Sequence, residues 1–177
     1  MKNIFIGGVA RSGKSTFAKM IKENGNYNYI PLDYFTSSLK HNFPETNITS
    51  NVVIDPKSSE NLALLLSRVI SIMNNTKEKY LIDSAHIMPK DIMKYIDLEK
   101  WDVYYVGYPN ISSKDKFDII RKYDSKYDWT SKRSDEELLE IIDSLINLSK
   151  EIESQCQELN ITFIDTSKGI DVLKEKM

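Results

Sequence analysis

Five short segments along the chain, residues 3–6, 27–32, 80–82, 103–106 and 161–164, are apolar runs rich in β-branched and aromatic residues. Such runs do not alternate with polar positions, which is the pattern of strands covered on both faces. Between them the apolar positions shift to a helical period. Helices are predicted over residues 15–23, 59–74, 90–96, 114–122 and 135–159, with a closing turn or two at 170–174. Strands separated by helices predict a three-layer α/β domain built on a five-stranded parallel sheet with right-handed crossovers.

The last long helix has the clearest start. Ser134 and Glu137 stand in capping-box spacing ahead of an apolar run. Leu138, Ile142, Leu145, Ile152, Cys156 and Leu159 follow a 4/3 spacing that suits a coiled-coil seam, but Ser149 interrupts it. Leu139, Ile141, Ile146 and Leu148 widen the stripe, so a helix lying on the sheet is expected, with Cys156 as a core thiol.

Composition narrows the classes without choosing a chemistry. A chain of 177 residues, 41% hydrophobic and 28% charged, is one folded domain by length and make-up rather than a disordered or fibrous one. Twenty-four Lys and Arg against 26 Asp and Glu give a net charge of −2. No overall basic field therefore exists for duplex nucleic acid or an anionic membrane, and any anion must be bound locally. One cysteine excludes an internal disulfide and fits a reducing cytoplasm; no run has the length of a membrane span.

A local anion site is written into residues 8–15. Gly8-Val9-Ala10-Arg11-Ser12-Gly13-Lys14-Ser15 satisfies the GxxxxGK[ST] pattern between a predicted strand and a predicted helix. Glycines let backbone wrap a phosphate, N–H groups and the helix start face it, Lys14 adds charge, and Ser15 offers an oxygen to Mg²⁺. Gly8, Arg11, Ser12, Gly13, Lys14, Ser15 and Thr16 are thus the expected ATP-binding residues. Asp83 ends the run Lys79-Tyr80-Leu81-Ile82-Asp83, where an acid would complete a Mg²⁺ site with Ser15. His86, three positions on, reads either as a packed loop residue or as a substrate contact.

A P-loop within the first fifteen residues, an acid after the second strand and a basic segment two-thirds along resemble the P-loop small-molecule kinases, the group of nucleoside, nucleotide, shikimate and gluconate kinases. The resemblance implies strand order 2-3-1-4-5 with the site at the carboxyl ends of the strands. It also implies transfer of the γ-phosphoryl of ATP to a hydroxyl or phosphate of a small nucleoside-like or sugar-like metabolite. Ile30-Pro31-Leu32-Asp33-Tyr34-Phe35 resembles the Asp-x-Phe pattern of the uridine kinase branch, which makes Asp33 the acceptor's base; a turn or N-cap Asp is the other reading. Residues 121–133, dense in cations and aromatics, take the place of the family's mobile lid, with Arg121 and Arg133 meeting the transferred phosphate. Thr166-Ser167-Lys168 resembles the loop that touches adenine, although Thr166 also suits a helix cap.

Departures limit the match. The paired arginines of nucleoside monophosphate kinases, a zinc-bearing lid and the Asn-Lys-x-Asp base reader of switch GTPases are missing. Arg68, inside an apolar helix, reads as a surface residue. The rival reading from another class is a regulatory module that binds nucleotide and phosphorylates nothing. Another, only loosely similar in size, is a toxin-like kinase of nucleotide-sugars.

Overall fold

The computed structural model describes residues 2–176. Strand β1 (Asn3–Gly8) is buried at every position, as the middle of a covered sheet requires. It pairs in parallel with β3 (Tyr80–Asp83) on one side and β4 (Trp101–Gly107) on the other. β2 (Asn28–Pro31) flanks β3, and β5 (Thr162–Asp165) flanks β4, again in parallel. The order β2-β3-β1-β4-β5 is the one expected. Its connections reverse direction at β1, so a crevice opens beyond the carboxyl end of that strand.

Alternate residues of the strands feed two hydrophobic layers. Ile4, Ile6, Leu81, Val106 and Ile164 pack with Phe17 and Ala18 of α1 (Lys14–Asn24) and with Leu173 near the C-terminus. Phe5, Ile82, Val103 and Tyr105 face the other way, onto α3 (Pro56–Met73) and α6 (Asp135–Glu158). The capping box at Ser134 and Glu137 is formed, and α6 lies on the sheet through Leu138, Ile142, Leu145, Ile152 and Cys156. Ser149, which breaks the apolar seam, is fully buried and accepts from the Tyr108 N–H (3.2 Å). It satisfies a backbone donor just past the end of β4, where an apolar residue would leave one orphaned.

Two elements differ from expectation. The helix predicted over 90–96 is only α4 (Pro89–Ile92), because buried Asp91 accepts from Ser59 Oγ of α3 (2.6 Å) and anchors a short turn. The unpredicted α2 (Asp33–Asn42) carries Thr, two Ser and Asn, which are weak helix formers with no apolar period. Burial in the fold holds it: Thr36 is fully buried, and its hydroxyl bonds locally to the Leu32 carbonyl one turn back (2.9 Å). Beyond it lies α5 (Ser113–Tyr123), started by Ser112, which accepts from the Asp115 N–H.

Candidate phosphate and acceptor site

The P-loop leaves β1 through Gly8 at φ 131° and enters α1 through Gly13 at φ 97°. Both values lie in the region that L side chains avoid. A Cβ on Gly8 would stand 2.0 Å from the Val106 carbonyl oxygen, so the close approach to β4 admits no side chain. Arg11 between them adopts φ 59°, a strained conformation for a long side chain. The chain accepts it because side chains hold the loop from behind.

Four successive carbonyls of the loop each accept a side-chain donor. Lys14 Nζ donates to Val9 O (2.7 Å), the Tyr108 hydroxyl to Ala10 O (3.0 Å), Lys116 Nζ to Arg11 O (2.9 Å) and Thr166 Oγ1 to Ser12 O (3.0 Å). With the carbonyls bound, the loop's N–H groups are left over. Among the described residues, the backbone N–H groups of residues 10–16 have no hydrogen-bond partner. Buried Ser12 Oγ also lacks one. Unmet donors in a glycine-framed loop at a helix start suit a polyphosphate. They border a cleft of about 350 Å³ whose apolar lining is Ile119, Ile120, Tyr123 and Ile170.

Beside the loop, the end of β3 brings Asp83 to α1. Ser15 Oγ donates to Asp83 Oδ2 (3.3 Å), and so does the Tyr29 hydroxyl from β2 (3.0 Å). Burial raises the Asp83 pKa, while the nearby Lys14 ammonium and the two hydroxyls oppose the rise. Burial lowers that of Lys14, which Asp83 and then Asp33 counter. Each of the two buried groups thus partly offsets the cost of burying the other's charge. Among the described residues no cluster of three or more His, Cys, Asp or Glu could cage a metal. A serine hydroxyl beside one carboxylate instead fits Mg²⁺, which keeps waters and takes its other oxygens from phosphates.

Asp33 begins α2 at the same end of the sheet. Its carboxylate is 61% exposed and touches the Ala85 N–H (3.4 Å) and His86 Nε2 (3.6 Å). His86 is 9% exposed. Burial lowers its pKa, and the Asp33 charge is the main opposing influence. Lys14, Ser15, Asp33, Asp83 and His86 therefore form one neighbourhood, with Asp33 as its freest carboxylate.

The segment 121–133 borders the P-loop through Tyr123, Asp124 and Asp128, but its two arginines are engaged away from the cleft. Arg121 donates to Asp135 (2.7 Å) and to the carbonyls of Thr130 and Arg133, both at 2.9 Å. Arg133 is exposed, and neither arginine lines the phosphate cleft. The arginine that does line it is Arg11, beside Lys14 and Lys116; its guanidinium reaches back to Asp124 (3.0 Å) and Asp128 (3.2 Å). Asp124 also accepts from the Thr130 hydroxyl and lies 3.5 Å from Arg121. Asp124→Asn is expected to lower stability by about 1–3 kcal/mol, since two guanidinium groups lose a nearly buried counter-charge. A urea midpoint falling at constant m-value would show it; an unchanged midpoint would mean that the ion pairs contribute nothing. Thr166 braces the P-loop from below, its hydroxyl within reach of Ser12 O and Gly107 O. Arg68 lies exposed on α3.

Sequence reasoning passed over Tyr29, Tyr108 and Lys116. Only Lys116 left a signal: it occupies the inward stripe of α5 with Phe117 and Ile120, where a lysine needs a reason to be buried.

No family model matches the sequence, and no curated protein matches it. Solved structures do. A gluconokinase from Sinorhizobium meliloti 1021 superposes with a TM-score of 0.60 at 14% identity, covering 98% of this chain and 86% of that one. A shikimate kinase from Bacteroides thetaiotaomicron gives 0.57 at 16%, covering 94% and 87%. The shikimate kinase from Acinetobacter baumannii, in complex with shikimate, gives 0.57 at 13%, covering 99% and 88%. At such low identity the likeness is one of architecture, and by that measure the chain has the fold of the P-loop small-molecule kinases.

Proposed function

We propose that this protein transfers the γ-phosphoryl group of ATP to a hydroxyl of a small metabolite. The observation that carries this reading is the convergence of unmet P-loop donors, the Ser15–Asp83 pair and the half-free Asp33 carboxylate on one end of the sheet. The N–H groups of residues 10–16 and Lys14 bind the polyphosphate, and the apolar wall of Ile119, Tyr123 and Ile170 receives the base. Ser15 and Asp83 would hold Mg²⁺, which supplies charge neutralisation at the phosphates. Lys14 can swing from Val9 O to a phosphate oxygen without leaving the neighbourhood of Asp83.

Asp33 orients the acceptor hydroxyl and takes its proton as the new P–O bond forms and the bond from the γ-phosphorus to the bridging oxygen of ADP breaks. The transition state for phosphoryl transfer is loose, so positioning and charge contribute more than strong basicity. Residues 121–133 act as the lid, moored to the P-loop through Arg11, Asp124 and Asp128. The charge on Arg11 is thereby kept near the phosphates.

ADP release measured with Mg·ATP and a panel of nucleosides, nucleotides, sugars and hydroxy acids tests the proposal. A slow basal rate and strong stimulation by one compound class are expected. ATP binding without stimulation by any member would instead favour a regulatory nucleotide-binding module.

A further inference from the structure

Lys116 is placed where a lysine is costly. It is 7% exposed on the inward face of α5, with its ammonium 3.8 Å from the centre of the Tyr108 ring. Its ammonium donates to the Arg11 carbonyl (2.9 Å), and its side chain lines the phosphate cleft. Arg11 is also the residue with the strained φ of 59°. Tyr108, under the ammonium, holds the preceding carbonyl of Ala10. The two side chains therefore grip adjacent peptide units at the bend of the loop.

We propose that Lys116 is a positioning residue for the phosphate site, holding the Arg11 peptide so that the neighbouring N–H groups face the cleft, and that its protonation makes phosphate binding depend on pH. This rests on the P-loop reading above.

Three contributions depend on the charge. A charged donor binds the Arg11 carbonyl more strongly than a neutral amine does, the attraction to the Tyr108 ring requires a cation, and the ammonium adds to the potential in the cleft. Burial, helped by the Arg11 guanidinium, brings the Lys116 pKa down to about 8. Among the described residues, the charged or titratable groups around it are that guanidinium, which Asp124 and Asp128 pair, Lys14 and Tyr123 on the same cleft, and the Tyr108 phenol, which burial keeps neutral. The sign follows. Lys116 is charged below this pKa and loses its charge as pH rises through it, so affinity for phosphates falls on the alkaline side. A bound polyphosphate favours the ammonium and draws a proton back.

Calorimetric titration of the whole chain with Mg·ADP tests this from about pH 7.5 to about pH 9.5, a range in which phosphate ionisation is already complete. The dissociation constant of the wild type is expected to rise roughly tenfold across the range, with proton uptake on binding at the upper end. Lys116→Arg, which keeps a permanent charge, should bind with no fall in affinity across this range, whatever its affinity at the lower end. Lys116→Met should bind weakly throughout, without the alkaline fall. Melting curves establish that each variant folds, and should Lys116→Met fail to, the wild type and Lys116→Arg decide. A flat wild-type profile, or an alkaline fall that persists in either variant, overturns the role of Lys116 and leaves the P-loop reading standing. No binding of Mg·ADP at any pH overturns both.

Discussion

Lys14→Ala is expected to lower ATP turnover by roughly 10²–10³-fold, the range found when one preorganised charge or donor is removed from a transition state. The effect should fall on kcat more than on ATP affinity, because the N–H groups of residues 10–16 still bind the polyphosphate. The sequence alone suggests a side chain that faces phosphate and adds little to the fold. The structure corrects this: Lys14 is 6% exposed, bonded to Val9 O and adjacent to buried Asp83. Its removal leaves the Val9 carbonyl without its donor and Asp83 without its nearest cation, at a cost of about 1–3 kcal/mol. Asp83 should respond by binding a proton more readily. Lys14→Met, which keeps the stem, separates the two effects: turnover should remain low while the volume lost in Ala is restored. Full turnover in either variant would refute the P-loop assignment.

Asp33→Asn is expected to reduce acceptor-dependent phosphoryl transfer by roughly 10²–10⁴-fold if proton removal matters fully, and by less if the loose transition state leaves the hydroxyl proton late. Acceptor-independent ATP hydrolysis should change little. The amide conserves size, and the carboxylate it replaces is 61% exposed, so the fold should tolerate the change. A second readout needs no acceptor. Asp33 is the charge that most opposes the lowering of the His86 pKa, so its neutralisation should move the His86 titration to lower pH in the NMR spectrum. The imidazole would then charge only in more acidic solution. Equal loss of transfer and hydrolysis would put Asp33 in the metal shell, and loss of neither would return it to a helix-start residue whose charge merely suits the N-terminus of α2.

The five strands, the helices α1, α3, α5 and α6 and the P-loop can be read from the chain before it folds. Each of these is a local pattern: a β-rich run, a 3.6-residue stripe, glycines at the bends of one loop. Asp83 was legible for the same reason, as the acid ending a short buried run. Helix α2 was not, because its Thr, Ser and Asn residues are weak helix formers and it is the burial of Thr36 in the fold, not a periodic apolar stripe, that marks it. The braces behind the P-loop were equally silent. Tyr108, Lys116 and Thr166 reach Ala10, Arg11 and Ser12 across 98, 105 and 154 positions of sequence. No spacing rule connects such pairs, since β4, α5 and β5 meet the loop only once the sheet is assembled. By sequence, Arg121 and Arg133 read as contacts for the transferred phosphate. In the folded chain Arg121 instead binds Asp135 and two carbonyls, and the segment's aspartates bind Arg11. Composition records how many charges a segment carries; only tertiary structure decides which partner each one meets, because that depends on distances the sequence does not contain.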